Sequence, residues 1–469
     1  MTGRGMPAEQ DLLAMIVGIR KKTGIPGISL AITSASGSIA VATGDADLRN
    51  GRSMTPDSRF EISCLMKFLL SLTILKMAER EELDLYSNVG DSLPELRGGC
   101  CGSITLQHLL SHTAGYHGLD ITDPAVRWNY NWDKLVARIS QRDPLFSPGA
   151  VFNYEHSEHV ILGKVLERQF GNTARFLVER EILERSSVAA ISIKAARSCH
   201  DIFVANHVED QDGRHRAVDM PPMGNFWADS LPDLTITPAE ACRIAFALCA
   251  GLPDQPRMSH WLGETRVAIP VGIRSDARCE RLPAGFGLAC ASYGGGWLGH
   301  NGSGIGQSCG LRFHPRLGIS IAVGVNLWSP YARDGVLERT IGMVTDSKPW
   351  ISEATAANSE FSLEELAPEM TVDDLCGVYA GSYLESVHIT RAGDGLVLHA
   401  GARTRRSSSI AIQRTNTGAF HLQSERPVSM CFSRGGPNGP IALHLGVHAY
   451  RKIKGGVEDI HVNDPRNGP

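Results

Sequence analysis

The sequence lacks several features that would place it in a special class of protein. Of its 469 residues, 46 are lysine or arginine and 50 are aspartate or glutamate, so the formal net charge is only −4. This balance, with both signs mixed along the chain, argues against a nucleic-acid-binding face and against a polybasic membrane anchor. Charged residues or glycine also interrupt every apolar run well before it reaches the length of a membrane span. We therefore expect neither a nucleic-acid partner nor a membrane partner.

Features of a secreted protein are equally scarce. The N-terminal segment shows no apolar core followed by a small-residue cleavage site, which a secretory signal would require. The 11 cysteines are odd in number and irregularly spaced, and Cys100 and Cys101 are adjacent. We therefore expect mostly buried, reduced thiols in a cytoplasmic protein, and no disulfide framework.

The residues that are present indicate a large globular protein. Hydrophobic residues make up 42% of the chain and charged residues 20%, which excludes extensive disorder. A β-hairpin is predicted around residues 34–37, and residues 65–78 are apolar on nearly all sides, which predicts a buried helix. An opening helix is predicted at about residues 8–22, with an apolar side made of Leu12, Leu13, Ile16, Val17 and Ile19.

The remaining pattern divides the chain into three parts. Residues 1–345 form a mixed α/β domain, in which residues 85–250 are helical and loop-rich. Residues 318–328 are apolar on both faces, which predicts a central strand. Residues 346–371 read as a polar linker. Short alternating runs over residues 372–469 are typical of a small antiparallel barrel or sandwich, which we interpret as a supporting domain.

The most unusual feature is a lysine within the apolar helix. A buried lysine is rare, because its charge must be paired or its pKa must fall. Cys64 precedes Lys67 by three residues and therefore lies on the same helical face. A thiol at a helix N-terminus beside an amine is in the setting that favours a reactive thiolate. In isolation, however, the pattern would more often mean a core cysteine beside a lysine that extends to the surface.

Further segments follow this helix in a specific order: ITLQHLLSHTAGY, FSPGAVFNYEHSEHV, GFGLA, GWLGHNGSGIG and GVYAGSY. Together with MTPDSRFEISCLMK, this order resembles the serine β-lactamase and penicillin-binding-protein-like superfamily, in particular its branch of class C β-lactamases, esterases and D-aminopeptidases. The resemblance implies an α/β fold with an antiparallel sheet flanked by helices and an all-helical subdomain. GVYAGSY is similar to the start of the lipocalin-like β-domain of D-aminopeptidases, which implies a C-terminal antiparallel β-barrel-like domain.

The resemblance also implies roles for individual side chains. Cys64 takes the place of the nucleophilic serine, because the general base Lys67 must lie three residues later. Tyr154 takes the role of proton shuttle. The sequence departs from the superfamily at the nucleophile and also at His156, where an asparagine is usual. We expect His156 to replace that asparagine as a substrate contact; alternatively, its imidazolium pairs with Cys64, as in cysteine proteases.

The third motif of the superfamily falls on His300, Asn301 and Gly302. The resemblance places it on a strand that lines the active site. The main-chain N–H groups of Cys64 and Ser303 are the oxyanion hole that the resemblance implies.

Other histidines do not predict a metal site. His156 and His159, or His112 and His117, are spaced as ligands could be, but no carboxylate or cysteine completes either set. We interpret His112, His117 and His159 as surface or loop residues and expect neither a metal ion nor another cofactor.

These residues predict acyl transfer through a thioester on Cys64. The donor would be a small or peptide-like amide or ester. The acceptor would be an amine, giving a biosynthetic transacylase of secondary metabolism, or water, giving a D-aminopeptidase, amidase or esterase. The competing interpretation is a non-catalytic binding protein that kept the pocket: loss of the usual serine and asparagine favours it, whereas retention of Lys67 and Tyr154 opposes it. The pattern predicts no particular oligomeric state.

Overall fold

Helices and strands alternate along the chain. The computed structural model describes residues 5–119, 124–189, 191–198, 202–210, 212–219, 227, 234–269, 273–274, 283–345, 361–362, 370–381, 386–392, 395–400, 408–414, 419–423, 429–434, 440–445 and 448–455. The α-helices within these residues are α1 (Glu9–Thr23), α2 (Leu65–Glu79), α3 (Val89–Ser92), α4 (Leu106–Leu110), α5 (Pro124–Asn129), α6 (Trp132–Ser140), α7 (Ser157–Phe170), α8 (Ala174–Val178), α9 (Ile193–Ser198), α10 (Pro238–Gly251), α11 (Pro256–Gly263), α12 (Pro330–Val344) and α13 (Val372–Leu375).

The strands of the first two thirds of the chain are β1 (Gly27–Ser34), β2 (Gly37–Asp47), β3 (Arg52–Ser53), β4 (Phe60–Glu61), β5 (Ile191–Ser192), β6 (Asn206–Glu209), β7 (His215–Val218), β8 (Leu234–Ile236), β9 (Val267–Ala268), β10 (Ile273–Arg274), β11 (Gly285–Phe286), β12 (Ala291–Ser292), β13 (Leu298–Gly304), β14 (Gln307–His314) and β15 (Ile319–Val325). The later strands are β16 (Phe361–Ser362), β17 (Gly377–Gly381), β18 (Ser386–Ala392), β19 (Gly395–Ala400), β20 (Ser408–Arg414), β21 (Ala419–Gln423), β22 (Ser429–Arg434), β23 (Ile441–Leu445) and β24 (His448–Gly455).

A nine-stranded sheet with the order β3-β2-β1-β15-β14-β13-β12-β11-β9 forms the centre of the first domain. The pairs β1–β2, β1–β15, β14–β15 and β13–β14 are antiparallel. Every residue of β15 is buried, as the apolar pattern predicts for a central strand. Alternate residues of a strand point to opposite faces; accordingly, Leu30 packs in the core beneath α1 and α12, whereas Ala31 packs in the core that includes α10.

Helix α2 lies within the larger core. It packs against α7, α8, α11 and β13, and nearly all of its residues are buried, which explains why its sequence has no polar face. In the sequence, residues 237–240 have the form of a capping box with proline at the first helical position, which predicts the start of a helix. Helix α10 begins there, at Pro238, with a capping box between Thr237 and Glu240. Within the described residues, no helix is long and apolar enough to cross a bilayer.

A second, curled antiparallel sheet occupies the C-terminal part, with the order β10-β22-β23-β24-β17-β18-β19-β20-β21-β16. Its core contains Tyr379, Leu398 and Leu443. The predicted fold class is therefore confirmed. Two short strands from outside residues 372–469 join this sheet, because β10 pairs with β22 and β16 pairs with β21. The rest of the proposed linker, apart from residues 370–371, lies outside the described residues.

Two local expectations are wrong or incomplete. Leu13 is 39% exposed, because Leu12 and Ile16, four residues apart, face the sheet, and the next position along a helix points about 100° away from that face. The middle of the chain also contains short strands, and β8 pairs with both β4 and β5. Strands of two to four residues are too short to show a period of two in the sequence.

Candidate active site

Cys64 lies immediately before α2, at the helix N-terminus. The preceding residue, Ser63, has a φ of 44°, a left-handed conformation that is uncommon outside glycine and is often found where the fold imposes a functional turn. This turn connects β4 to α2. It places the thiol at the positive end of the helix dipole, the position that favours an anionic group.

Cys64 differs in accessibility from the six other cysteines whose burial the structure describes. Cys64 is partly exposed, whereas Cys101, Cys242, Cys249, Cys290, Cys309 and Cys376 are buried. Burial raises the pKa of the thiols of Cys242, Cys249, Cys290 and Cys309 to about 12, so these thiols stay protonated at neutral pH. Cys64 is therefore the candidate for selective reaction with an electrophile.

The amine of Lys67 connects two other candidate side chains. Its Nζ lies 3.3 Å from the Sγ of Cys64 and 2.9 Å from the Nδ1 of His156. It also lies 5.0 Å from the centre of the Tyr154 ring, close enough for a cation–π contact. Lys67 is buried, whereas Cys64, Tyr154 and His156 are partly exposed. A sheltered amine thus lies beneath three groups that a substrate can reach.

The geometry of His156 bears on its two possible roles. Its hydrogen bond goes to Lys67 and not to Cys64. Loss of hydration, together with the nearby Lys67 amine, lowers the pKa of His156 well below its ordinary value, so the ring is neutral at pH 7. Both observations favour a neutral hydrogen-bonding residue over an imidazolium paired with Cys64. The ring also meets Trp227 edge-on, with 6.5 Å between centroids.

Tyr154 lies among histidine rings. The nearest is His112, with ring centroids 4.3 Å apart, followed by His156 at 5.5 Å, His300 at 6.3 Å and His448 at 6.5 Å. Sequence reasoning selected His156 and His300 but assigned no role to His112 or His448. The structure therefore brings together the four catalytic candidates, one residue of the third motif and two further histidines.

The expectation that His112 and His159 are surface or loop histidines is wrong as to exposure, since both are fully buried. The Nδ1 of His112 lies 2.5 Å from a carboxylate oxygen of Glu158, and the Nε2 of His159 lies 3.1 Å from the Oγ of Ser71. Burial lowers the pKa of His112 and raises the pKa of Glu158, so both groups are favoured in their neutral forms. The described residues contain no group of three or more metal-ligating side chains.

Glu155, between Tyr154 and His156, is a structural residue that sequence reasoning missed. Its buried carboxyl group accepts hydrogen bonds from the main-chain N–H groups of Leu119, His156 and Ser157, at 2.9, 2.9 and 3.1 Å. These bonds fix the turn before α7. Burial raises the pKa of Glu155, although the main-chain donors partly oppose that shift.

Strand β13 carries the third motif past the nucleophile turn. His300 is buried, and its Nδ1–H donates to the carbonyl oxygen of Asn301 at 2.7 Å. Burial lowers the pKa of His300 to about 3, so its ring is neutral and its Nε2 is the acceptor. Arg312 donates to the side-chain oxygen of Asn301 at 2.8 Å and thereby fixes that amide.

Gly302 and Ser303 lie where this strand meets the nucleophile turn. A Cβ atom at Gly302 would come within 2.6 Å of the carbonyl oxygen of Ile62, so only glycine permits this approach. The Oγ of Ser303 accepts a hydrogen bond from Arg333 at 3.2 Å. The two stretches of chain that carry Cys64 and Ser303 are thus adjacent in space. An oxyanion hole built from the main-chain N–H groups of these two residues would require this arrangement.

The chain is similar in sequence to known proteins. Residues 12–342 match the family model described as Beta-lactamase. Esterase EstB from Burkholderia gladioli is 31% identical over 161 residues, which cover 30% of this chain and 41% of the esterase. The chain thus aligns with less than half of the length of this relative.

Solved structures match over a larger part of the chain. A crystal structure of SurE has a TM-score of 0.71 at 22% sequence identity and covers 95% of this chain and 99% of SurE; SurE has also been solved with D-Leu. The octameric penicillin-binding protein homologue from Pyrococcus abyssi has a TM-score of 0.61 at 19% identity and covers 94% and 99% of the two chains. Both similarities include the C-terminal sheet and show a shared fold.

Proposed function

Because the chain belongs to the β-lactamase family, we propose that it is an acyl-transfer enzyme with Cys64 as its nucleophile. The observation that carries the proposal is the position of the Lys67 amine, 3.3 Å from the Cys64 sulfur and 2.9 Å from His156. An amine at this distance can take up the thiol proton or stabilise the thiolate. Cys64 and His156 are also the polar partners that the buried amine of Lys67 needs.

The first half-reaction forms a thioester. The Cys64 sulfur attacks the carbonyl carbon of an amide or ester donor, and its proton passes to Lys67. The main-chain N–H groups of Cys64 and Ser303 stabilise the negative charge on the carbonyl oxygen. The bond to the leaving group then breaks, and that group leaves with the proton, which Tyr154 delivers. His156 holds Lys67 in place and contacts the substrate.

The second half-reaction passes the acyl group to an acceptor. The nitrogen of an amine attacks the thioester carbon, the carbon–sulfur bond breaks, and the thiol regains a proton as an amide is released. Thioesters react more readily with amines than with water, so we propose an amine acceptor and a cytoplasmic biosynthetic role. Because SurE was solved with D-Leu, a donor that ends in a D-amino acid is the first to test.

Hydrolysis is the second candidate function, and the similarity to an esterase favours it. In that case water replaces the amine, and the product is a free acid. The same site performs the first half-reaction in both cases. A binding protein without turnover would retain the fold but would form no thioester.

Acyl-enzyme trapping tests the proposal. The enzyme is mixed with a thioester of an N-acyl-D-leucine, quenched in acid, and measured by intact-protein and peptide mass spectrometry. We expect one acyl group on the peptide that contains Cys64, and none in the Cys64→Ala variant. Cys249→Ala, a substitution in the core of α10, is the matched control and should acylate normally. Absence of an adduct with ester and thioester donors, or an adduct that survives in Cys64→Ala, would contradict the proposal.

A further inference from the structure

One histidine beside Tyr154 comes from the C-terminal sheet. His448 is the first residue of β24, and its ring meets that of Tyr154 edge-on at 6.5 Å. The His448 ring also makes a hydrogen bond to the main chain of Tyr154. A residue from the domain that sequence reasoning treated as supporting therefore contacts the proton-shuttle candidate.

The neighbouring residues of β24 anchor this contact. The main-chain N–H of Ala449 donates to the Oδ1 of Asn153 at 2.9 Å, in a buried bond between residues 296 positions apart in sequence. Arg451, two residues further along the strand, donates to the carbonyl oxygen of Pro144 at 2.9 Å. Both acceptors belong to the segment that precedes α7 and carries Tyr154.

Apolar packing closes the same interface. Ala442 of β23 and Ala449 of β24 are fully buried against Leu145, Phe146 and Val151. Small side chains on the strands allow this close approach. The hydrogen bonds and the packing together fix β24 against residues 144–154 in a single register.

From these contacts we infer that the C-terminal domain is part of the acyl-transfer site, with His448 as a positioning residue that holds Tyr154 in place for proton transfer. This inference rests on the proposed function. A displacement of about 1 Å at a catalytic group can reduce a rate by about 100-fold, so a single hydrogen bond to the Tyr154 main chain is enough to affect turnover.

The electrostatics of His448 are consistent with this role. Loss of hydration and the nearby Lys67 amine lower its pKa to about 4, and the bond to Tyr154 only partly opposes that shift. The ring is therefore neutral at pH 7. It can hold the main chain of Tyr154 without adding a positive charge to the site.

The test compares two substitutions at His448. His448→Phe keeps a ring against Tyr154 but removes the donor, whereas His448→Gln keeps a donor. We expect His448→Phe to lower kcat by about 10- to 100-fold with little change in KM, and His448→Gln to recover much of that loss. The alkylation rate of Cys64 at pH 7 should stay unchanged in both, because the Cys64–Lys67 contact is intact. His388→Phe, in β18 of the same sheet, is the control and should keep wild-type kcat.

Several results would overturn the inference. A His448→Phe variant with kcat within twofold of wild type contradicts it, and so does a His448→Gln variant that loses as much as His448→Phe at an unchanged unfolding temperature. A Cys64→Ala variant measured in parallel separates the two proposals. If Cys64→Ala is inactive while His448→Phe is unaffected, only the role of His448 fails; if turnover survives Cys64→Ala, the proposed function fails.

Discussion

The amine of Lys67 lies 3.3 Å from the sulfur of Cys64, about one helical turn away on α2. Residues at this spacing share a helix face, so the local geometry of the helix is sufficient to produce the contact. The helix is buried on its other sides, which keeps water away from the amine. The amine therefore exerts a stronger electrostatic effect on the thiol than it would at the surface.

Replacing Lys67 should make the thiol less reactive at neutral pH. In Lys67→Met, which roughly preserves side-chain volume, we expect the midpoint of iodoacetamide alkylation at Cys64 to rise by about one pH unit or more, equivalent to about 1.4 kcal/mol. Peptide mass spectrometry across pH 5 to 10 measures this. Lys164→Met, at a partly exposed position of α7 that pairs with Glu167, should leave the midpoint unchanged. Superimposable profiles for Lys67→Met and wild type would exclude Lys67 as the electrostatic partner.

The sequence was sufficient to predict features that depend on local spacing. The Cys64–Lys67 contact follows from helical periodicity, the start of α10 from its capping box, and the central position of β15 from an apolar pattern on both faces. Each of these patterns lies within about fifteen residues of chain. Each is therefore readable without knowledge of the tertiary structure.

Features that depend on distant packing were not predictable in this way. Buried His112, in the turn after α4, contacts Glu158 of α7, and the role proposed for His448 depends on the docking of β24, where Ala449 bonds to Asn153, 296 residues away in sequence. A polar residue gives the same sequence signal on a surface and beside a buried partner. The way in which helices and strands that are distant in sequence pack together decides whether that polar residue is exposed or buried.

Substitution of His156 distinguishes its two possible roles. His156→Asn keeps a side-chain oxygen able to accept from Lys67, so we expect kcat within about tenfold of wild type and an altered preference among donors. A general base would be worth about 10²–10⁴-fold in rate, so a loss of that size with unchanged KM would show that His156 is the base. His159→Asn, a buried histidine bonded to Ser71, is the control for packing effects.

The approach of β13 to the nucleophile turn should tolerate no side chain at position 302. In Gly302→Ala, the new Cβ would meet the Ile62 carbonyl oxygen at 2.6 Å and the Cys309 sulfur at 2.5 Å. We expect a loss of about 1–3 kcal/mol in the free energy of unfolding from this overpacking, with slower acylation of Cys64. Gly18→Ala, in α1 with nothing within 4 Å of the added carbon, should instead stabilise by up to about 1 kcal/mol. Urea unfolding measures both; a neutral Gly302→Ala would contradict the close approach.

Acid should destabilise the protein through its buried histidines. Burial lowers the pKa of His300 to about 3 and also lowers the pKa of His112 and His159. Above the unfolded pKa of about 6.5, these histidines are neutral in both the folded and the unfolded chain, and their contribution to stability is fully present. As the pH falls from there toward the folded pKa, the unfolded chain binds protons that the folded protein does not. The free energy of unfolding then decreases by up to about 1.4 kcal/mol per pH unit for each residue. Burial also raises the pKa values of Glu155 and Glu158, which therefore act in the opposite direction above pH 4.5, but the buried histidines outnumber these two carboxyl groups.

We therefore expect the free energy of unfolding to fall between pH 6.5 and 5, as urea titrations at several pH values would measure. His300→Asn should reduce the slope, whereas substitution of the exposed His260 should not. A free energy that is flat or rising toward pH 5 would mean that these histidines are not held neutral.

Partitioning of the acyl group decides between transferase and hydrolase. A serine acyl-enzyme is an oxygen ester, which water attacks adequately when a base is positioned, whereas a thioester on Cys64 favours attack by amines. We expect the wild-type thioester, mixed with millimolar amine, to yield mainly amide, and Cys64→Ser to acylate more slowly and release a larger share of free acid. Liquid chromatography with mass detection quantifies both products. If wild type and Cys64→Ser give only free acid in the same proportion, the chemistry of the nucleophile does not set the acceptor, and a cysteine hydrolase is the function that fits.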